Sequence, residues 1–347
     1  DLTAGMQVKS SKPWQQQCKL LTQAYALEPE LPSTLQAQLR DYQLEGFTWL
    51  TRLAHWGAGA CLADDMGLGK PLQALALILT RAPTGPTLVL APTSVCFNWQ
   101  EEALRFAPTL NVQHFGSGDR EDMLNNAQAF DVIICSYGLL QTESERLQAV
   151  QWHTIIADEA QALKNPQTKR SKAAMGLNAD FKMIATGTPI ENHLGELWNL
   201  FNFINPGLLG SLEHFNQHFA TPIESHKDHA ASQQLKQLIQ PFILRRLKSD
   251  VLTELPSRTE ITVHVEPSKE EKAFYEALRR NALEKLADTE GSSPGQQRMK
   301  MLAEIMRLRR ACCHPKLVMP ESTIGSAKLA AFGNILEELV ENRNKAL

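Results

Sequence analysis

No cysteine in this sequence belongs to a C-x-x-C pair; the six present (Cys18, Cys61, Cys96, Cys135, Cys312, Cys313) are spread over 347 residues. That pattern fits reduced thiols in a cytosolic compartment better than a disulfide framework or a thiolate zinc site, so no structural metal is expected. Long hydrophobic runs are equally scarce. The longest, Ala74 to Leu79, falls far short of the roughly 18 residues that read as a membrane span, and nothing near the start resembles a signal peptide. Neither a membrane nor a secretory route is therefore expected. With 19 Gly and 18 Pro the chain is not collagen-like or disordered. An excess of positive charge is also absent: 35 Lys and Arg stand against 38 Asp and Glu, a net charge of −3, which taken alone argues against a nucleic-acid binder. The average hides an asymmetry. Residues 1–240 carry 17 basic and 23 acidic side chains, residues 241–316 carry 15 and 11, with clusters at Arg245, Arg246, Lys248 and at Arg307, Arg309, Arg310. Local patches decide what a polyanion feels, because charges are screened beyond about 8 Å at physiological salt.

What remains is an ordinary globular composition, 43% hydrophobic and 21% charged, long enough for two structural units. Residues 1–33 read as an approach segment with one short helix over 15–26. From Leu39 to Trp56 apolar residues recur at helical spacing and Gly57 supplies the stop. Short apolar runs at 60–63, 87–91, 111–115, 132–135, 154–157 and 183–186 then alternate with amphipathic stretches at 71–80, 95–106, 119–127, 139–150 and 169–176. Alternating strand and helix predict an α/β fold with a parallel sheet flanked by helices. After Gly187 the strands are expected to stop: 190–204 is a helix, 223–234 a solvated loop or weak helix, and 261–265 one isolated half-buried strand. Ser268 opens a helix with a capping box to Glu271, 289–297 is a linker, and helices follow at 299–313 and 326–343. The expected division is 34–240 for the α/β lobe and 241–347 for a mainly helical connector.

The sharpest local signal is Asp64-Asp65-Met66-Gly67-Leu68-Gly69-Lys70, placed between a strand and a helix. A glycine-rich turn there lets backbone N–H groups curl around phosphates, the helix N-terminus adds favourable potential, and Lys70 supplies a charge for the β and γ phosphates. The first glycine of the general G-x-x-x-x-G-K-[ST] pattern is Asp64 here. A second signal is Thr154 to Gln161, a hydrophobic strand ending in Asp158 and Glu159, as required for one carboxylate that holds Mg²⁺ and a neighbour that deprotonates water. Thr186-Gly187-Thr188-Pro189 follows a third strand, where hydroxyls could sense the γ-phosphate region.

These segments, with LRDYQLEGFTWL (39–50), APTSVCFNWQEE (91–102), DEAQALKN (158–165), TGTPIENHLGELWNLFNFINPGLLG (186–210), FILRRLKSDV (242–251), LPSRTE (255–260) and ACCHPKLV (311–318), resemble in order and content the motor of the Swi/Snf-type ATPases. These are helicase-like double-stranded DNA translocases of superfamily two, here of the bacterial type. The resemblance runs from about Leu39 to Leu347 and implies a RecA-like lobe that binds ATP and Mg²⁺ and acts on double-stranded DNA without strand separation. Residue by residue, it implies that Gln43 reads the adenine edge, and that Asp65, Met66, Gly67, Leu68, Gly69, Lys70 and Pro71 form the phosphate loop. Asp158 would hold Mg²⁺ through water and Glu159 would be the catalytic base. Gln161, where many relatives carry His, would couple nucleotide state to Thr186, Gly187 and Thr188, and Thr93, Ser94, Asn98, Lys164 and Asn165 would face the DNA backbone. Trp99, Trp198 and Phe201 read as core, and Cys312, Cys313 and His314 as packing. The resemblance also implies a cytoplasmic, nucleoid-associated protein that remodels a protein complex on DNA.

Two departures from the family stand out. Pro71 occupies the position of a Thr or Ser whose hydroxyl coordinates Mg²⁺ and whose N–H joins the phosphate cradle; proline removes both. The sequence ends at Leu347 where relatives begin a second RecA-like lobe, the source of an arginine finger. Weakened Mg-ATP binding and little turnover by these residues alone are therefore expected. The rival expectation is a truncated, catalytically degenerate DNA- or protein-binding remnant. A small-molecule phosphotransferase lacks support, because the motifs after Asp158 follow the translocase order.

Overall fold

The computed structural model describes residues 11–187, 193–251, 261–287 and 294–343. They fall into two compact units, residues 1–255 and 256–347.

The first unit opens with helix α1 (Lys12–Ala26), capped by Ser11, and α2 (Asp41–Trp56), which ends at Gly57 with φ 82°, the left-handed turn that glycine adopts without strain. Strand β1 (Ala60–Leu62) leads through residues 63–69 to α3 (Lys70–Arg81). The alternation continues through β2 (Thr87–Ala91), α4 (Thr93–Phe106), β3 (Asn111–His114), α5 (Arg120–Asn125), β4 (Asp131–Ser136), α6 (Tyr137–Thr142), α7 (Ser144–Ala149), β5 (Trp152–Asp158), α8 (Lys169–Met175), β6 (Ala179–Ala185) and α9 (Leu194–Ile204). The strands form one parallel sheet in the order β3-β4-β2-β5-β6-β1, with a short β7 (Ile243–Leu244) beyond β1. Every residue of β1, β2 and β4 is buried, which is why these strands read as continuous apolar runs instead of alternating ones.

Several expected elements differ. Residues 139–150 hold two short helices, α6 and α7, that part at Glu143, whose carboxylate is paired with Arg120 and Arg146. The segment expected as a solvated loop or weak helix over 223–234 takes the helical alternative, as two helices, Thr221–His226 and His229–Ile239; the polar sequence is divided by Lys227 at φ 52° and the second helix is capped by Asp228 on Ala230 and Ala231 N–H. Strand pairing does not stop at Gly187, since β7 joins β1 in register, Cys61 opposite Ile243. Residues 261–268 form no strand: Ile261 and Val263 are exposed, and alternation without a partner strand cannot satisfy a ladder. The expected helix over 190–204 is described from Leu194, with 190–192 outside the described residues, and of the expected linker 289–293 lies outside them while Pro294 already starts a helix.

The second unit is helical. Its Lys269–Ala287 helix carries the capping box, Glu271 N–H to Ser268 Oγ and Ser268 N–H to Glu271 Oε2, at 3.1 and 2.8 Å. The Pro294–Cys313 helix packs along it with Lys285 paired to Glu304, and a third helix spans Ala327–Glu341.

Candidate nucleotide site

In open parallel sheets ligands bind at the carboxyl ends of the strands. Here the ends of β1, β6 and β5 lie side by side, with β6 between the other two. The turn after β1 bends through Gly67 (φ 85°) and Gly69 (φ 72°), conformations that favour glycine. Gly69 also stands at the N-terminus of α3, and a Cβ there would meet Gln43 Nε2 at 2.4 Å. Pro71 sits in the first turn of α3, where the lost N–H would have no intrahelical partner anyway; the helix ladder starts with Gln73 N–H on Gly69 O at 3.2 Å.

A cleft of about 390 Å³ opens over this turn. Gly67, Gly69, Lys70 and Pro71 form one wall and Asp158 and Glu159 another, with Asn98, Trp99 and Glu102 of α4 completing it. Lys70 is buried, and its ammonium donates to Asp64 O at 2.8 Å and Asp65 O at 3.4 Å. Asp158 is buried; its Oδ2 accepts from Trp99 Nε1 at 2.8 Å and its Oδ1 from Glu159 N–H at 2.9 Å. Burial pushes the Asp158 carboxyl above the usual carboxylate range against the pull of those hydrogen bonds. Glu102 is raised too, first by burial and then by the nearby charge of Asp158. A larger groove of about 910 Å³ beside α1 and α2 is lined mainly by apolar side chains such as Leu21, Leu44, Trp49 and Trp56; its one cation, Arg52, shares it with Asp41 and Glu45 and no glycine turn lines it.

Glu159 stands in the left-handed region at φ 47°, directly before a short 3₁₀ turn at Ala160–Leu163. Its Oε2 accepts from Gln161 Nε2 at 2.6 Å, and Gln161 Oε1 accepts from Thr186 Oγ1 at 3.3 Å. Thr186 N–H in turn reaches Leu62 O at the end of β1, at 3.1 Å. Gly187 closes the group, with a built Cβ 3.1 Å from Met66 Cγ; Thr188 lies outside the described residues.

The remaining expected residues are dispersed. Gln43 lies behind the phosphate turn, not on the cleft wall: its Oε1 accepts from Arg40 N–H and its Nε2 donates to Leu68 O, at 3.0 and 3.2 Å. Thr93, Ser94 and Asn98 are exposed along the first two turns of α4, and Asn165 is exposed after β5. Lys164 is buried instead and paired with Glu196 of α9 at 3.4 Å, a burial that an exposed backbone contact would not require. Trp99 and Phe201 are core as expected, and Trp198 is half-buried with its Nε1 on Gly210 O.

Two contributors were not visible beforehand. The Trp99 N–H on Asp158 joins residues 59 apart. Arg246, grouped by sequence with a basic patch, is an inward clamp: its Nε and Nη2 hold the fully buried Asp64 at 3.0 and 2.6 Å. The only sequence signal for the second was a charged residue, Asp64, in place of a loop glycine.

The SNF2-related domain family matches residues 42–317. YwqA of Bacillus subtilis (strain 168) is 39% identical over 97% of this chain and 37% of its own length, and the chromatin-remodeling ATPase INO80 of Arabidopsis thaliana is 35% identical over 83% of this chain and 21% of its own. The chain thus spans little more than a third of these relatives, or less. The Sulfolobus solfataricus SWI2/SNF2 ATPase core, solved in complex with double-stranded DNA, superposes with a TM-score of 0.62 at 37% identity, covering 91% of this chain and 67% of that one. A parallel sheet with a glycine turn after its first strand, two acids at the end of β5 and a family match over most of the sequence lead to one assignment: this chain belongs to the SNF2 family of helicase-like ATPase domains.

Proposed function

We propose that the chain is the nucleotide-binding lobe of a duplex-DNA-dependent ATPase that moves along double-stranded DNA without separating the strands. The observation that carries this reading is the convergence of Lys70, Asp158 and Glu159 on one cleft. Loop N–H groups and Lys70 bind the β and γ phosphates of ATP, which draws the ammonium away from the Asp64 and Asp65 carbonyls. Glu159 accepts the proton of the attacking water, while Gln161 and Thr186 hold its carboxylate in line.

The donor set accommodates Mg²⁺ in part. Both Asp158 oxygens keep a free lone pair beside their hydrogen bonds, so Asp158 would hold the ion through water; Pro71 offers no hydroxyl for a second contact. Mg²⁺, when bound, neutralises charge on the terminal phosphates. Gln43, behind the phosphate turn, sets the loop through its contact to Leu68 O. The exposed Thr93, Ser94, Asn98 and Asn165 side chains meet the DNA phosphates, contacts that position a protein without reading sequence. Lys164, paired with Glu196, shapes that surface from beneath.

Efficient hydrolysis in this family draws on an arginine finger from a second RecA-like lobe, worth roughly 10³ to 10⁵ in rate. The 347 residues assayed alone therefore bind nucleotide and hydrolyse it slowly. In the cell the assembled motor works in the cytoplasm on the nucleoid and displaces or remodels a protein complex there. The test is nucleotide titration and phosphate release, with and without duplex DNA, on the chain and on Lys70→Ala and Glu159→Gln. Loss of binding in the first and retained binding without turnover in the second are expected. Nucleotide affinity indifferent to Lys70 would sink the reading, and fast DNA-stimulated turnover by the chain alone would remove the need for a second lobe. Pro71 favours one rival, a lobe that binds DNA but no longer uses ATP; it predicts duplex binding with no nucleotide affinity at all.

A further inference from the structure

The basic segment after β7 lies on the phosphate loop itself. Asp64 accepts from the main-chain N–H, Nε and Nη2 of Arg246 at 3.1, 3.0 and 2.6 Å, and the same guanidinium reaches Gln73 Oε1 and Tyr42 O and sits 5.3 Å above the Tyr42 ring. Asp65 N–H donates to Arg246 O at 3.0 Å, and the Asp65 carboxylate accepts from Lys248 N–H at 3.1 Å. The backbone of 246–248 is thereby laced to the first two residues of the loop.

We propose that Lys248 is a second phosphate-binding cation of the nucleotide site, acting on di- and triphosphates, and that Arg246 is the positioning residue that keeps it there. A Cβ placed on Gly67 would stand 3.0 Å from Lys248 Nζ, so the ammonium lies directly over the bare turn. Among the described residues that ammonium forms no ion pair, whereas the Lys70 ammonium is turned onto two loop carbonyls. An exposed cation over a glycine-rich turn is a site for an anion, since cation and backbone dipoles add at the same point. Arg245 of the same segment reaches Gly187 O at 3.5 Å, so the segment also touches the turn that follows β6. Lys248 adds charge to a loop that lacks the usual hydroxyl at Pro71.

The inference rests on residues 64–70 being a phosphate loop, and the experiment separates the two. ATP, ADP and AMP are titrated onto the chain, Lys248→Ala, Lys248→Arg and Lys70→Ala, each also in a Pro71→Thr background. Lys248→Ala is expected to weaken ATP and ADP by about five- to tenfold and leave AMP and the unfolding midpoint unchanged, because the side chain is exposed; Lys248→Arg restores most of the loss. Unchanged ATP and ADP affinity in Lys248→Ala, with binding lost in Lys70→Ala, overturns the inference alone. Equal weakening of all three nucleotides also overturns it, since that is the mark of a distorted loop. If Lys70→Ala changes nothing, or neither background binds nucleotide, the phosphate-loop reading falls and this inference with it.

Discussion

Replacing Pro71 by Thr restores the residue type that the general phosphate-loop pattern carries after its lysine. Pro71 is half-exposed on the cleft wall in the first turn of α3. The helix ladder begins two residues later, from Gln73 N–H to Gly69 O, so the substitution neither adds nor breaks a helical hydrogen bond. Its effect on stability is confined to the freer unfolded chain, a loss of about 0.4–1 kcal/mol. Its effect on binding is larger. Threonine restores an N–H aimed at phosphate and a hydroxyl available to Mg²⁺, and a hydrogen bond to a charged group contributes about 1.5–3 kcal/mol. That corresponds to an affinity gain of about ten- to 150-fold. Calorimetric titration with Mg-ATP measures it, and repetition in EDTA divides it: the N–H share survives without metal and the hydroxyl share does not. A Pro71→Thr variant that binds Mg-ATP no better than the parent would refute the reasoning, and would mean that the cradle is satisfied by its other groups.

Three further outcomes are expected. Burial holds the Asp158 carboxyl above its ordinary range, so the folded state favours the protonated acid and loses stability as pH rises through that raised pKa. Asp158→Asn removes that titration and sets its NH₂ against one of the two donors, Trp99 Nε1–H or Glu159 N–H, so the parent's melting temperature should fall relative to the variant's as pH rises, and metal-dependent nucleotide binding should be lost; parent and variant melting curves that run parallel with pH contradict this. Arg246→Ala takes the guanidinium from the fully buried Asp64, which keeps only the main-chain N–H of residue 246 and Gln73 Nε2, and should cost about 3–5 kcal/mol in urea unfolding, part of it recovered by pairing Arg246→Met with Asp64→Leu; a loss below about 1 kcal/mol would show that the two remaining donors suffice. Thr93→Ala with Ser94→Ala removes two exposed hydroxyls and should weaken duplex binding equally for all sequences without altering its salt slope, because no counterion-releasing cation is lost. A change in that slope, measured by fluorescence anisotropy across salt concentrations, would place a cation at this contact.

The sheet was legible wherever strands are buried on both faces. Residues 87–91 and 132–135 read as strands because nothing polar interrupts them, and the structure extends the second by one residue at each end. Ile243–Leu244 was not legible, because two residues carry no period; their strand exists only because β1 lies alongside. Residues 261–265 misled in the opposite direction, since alternation marks a strand only when a neighbour supplies hydrogen bonds. The site divides the same way. Lys70, Asp158 and Glu159 announce themselves by local chemistry at fixed spacing. Trp99 on Asp158 and Arg246 on Asp64 span 59 and 182 residues, and no local pattern encodes a contact made by folding. Lys164 shows the converse: a lysine beside an acidic motif invites a phosphate, but Glu196 of a later helix takes it into the interior.

The link from Glu159 to the phosphate loop has only one workable polarity. A carboxylate only accepts and the Thr186 hydroxyl donates, so the Gln161 amide must turn its NH₂ to Glu159 and its oxygen to Thr186. Thr186 N–H then bonds Leu62 O, the last residue of the strand that enters the loop. A neutral imidazole at position 161 could do the same, giving one proton and accepting one. It would, however, gain a proton in the range where His titrates, and a protonated ring has no acceptor left for Thr186. The amide keeps its donor and its acceptor at every pH between about 5 and 8. Any pH dependence of the proposed coupling in this chain must then come from the carboxylates, and Asp158 and Glu102, both raised by burial and both on the cleft, are placed to supply it.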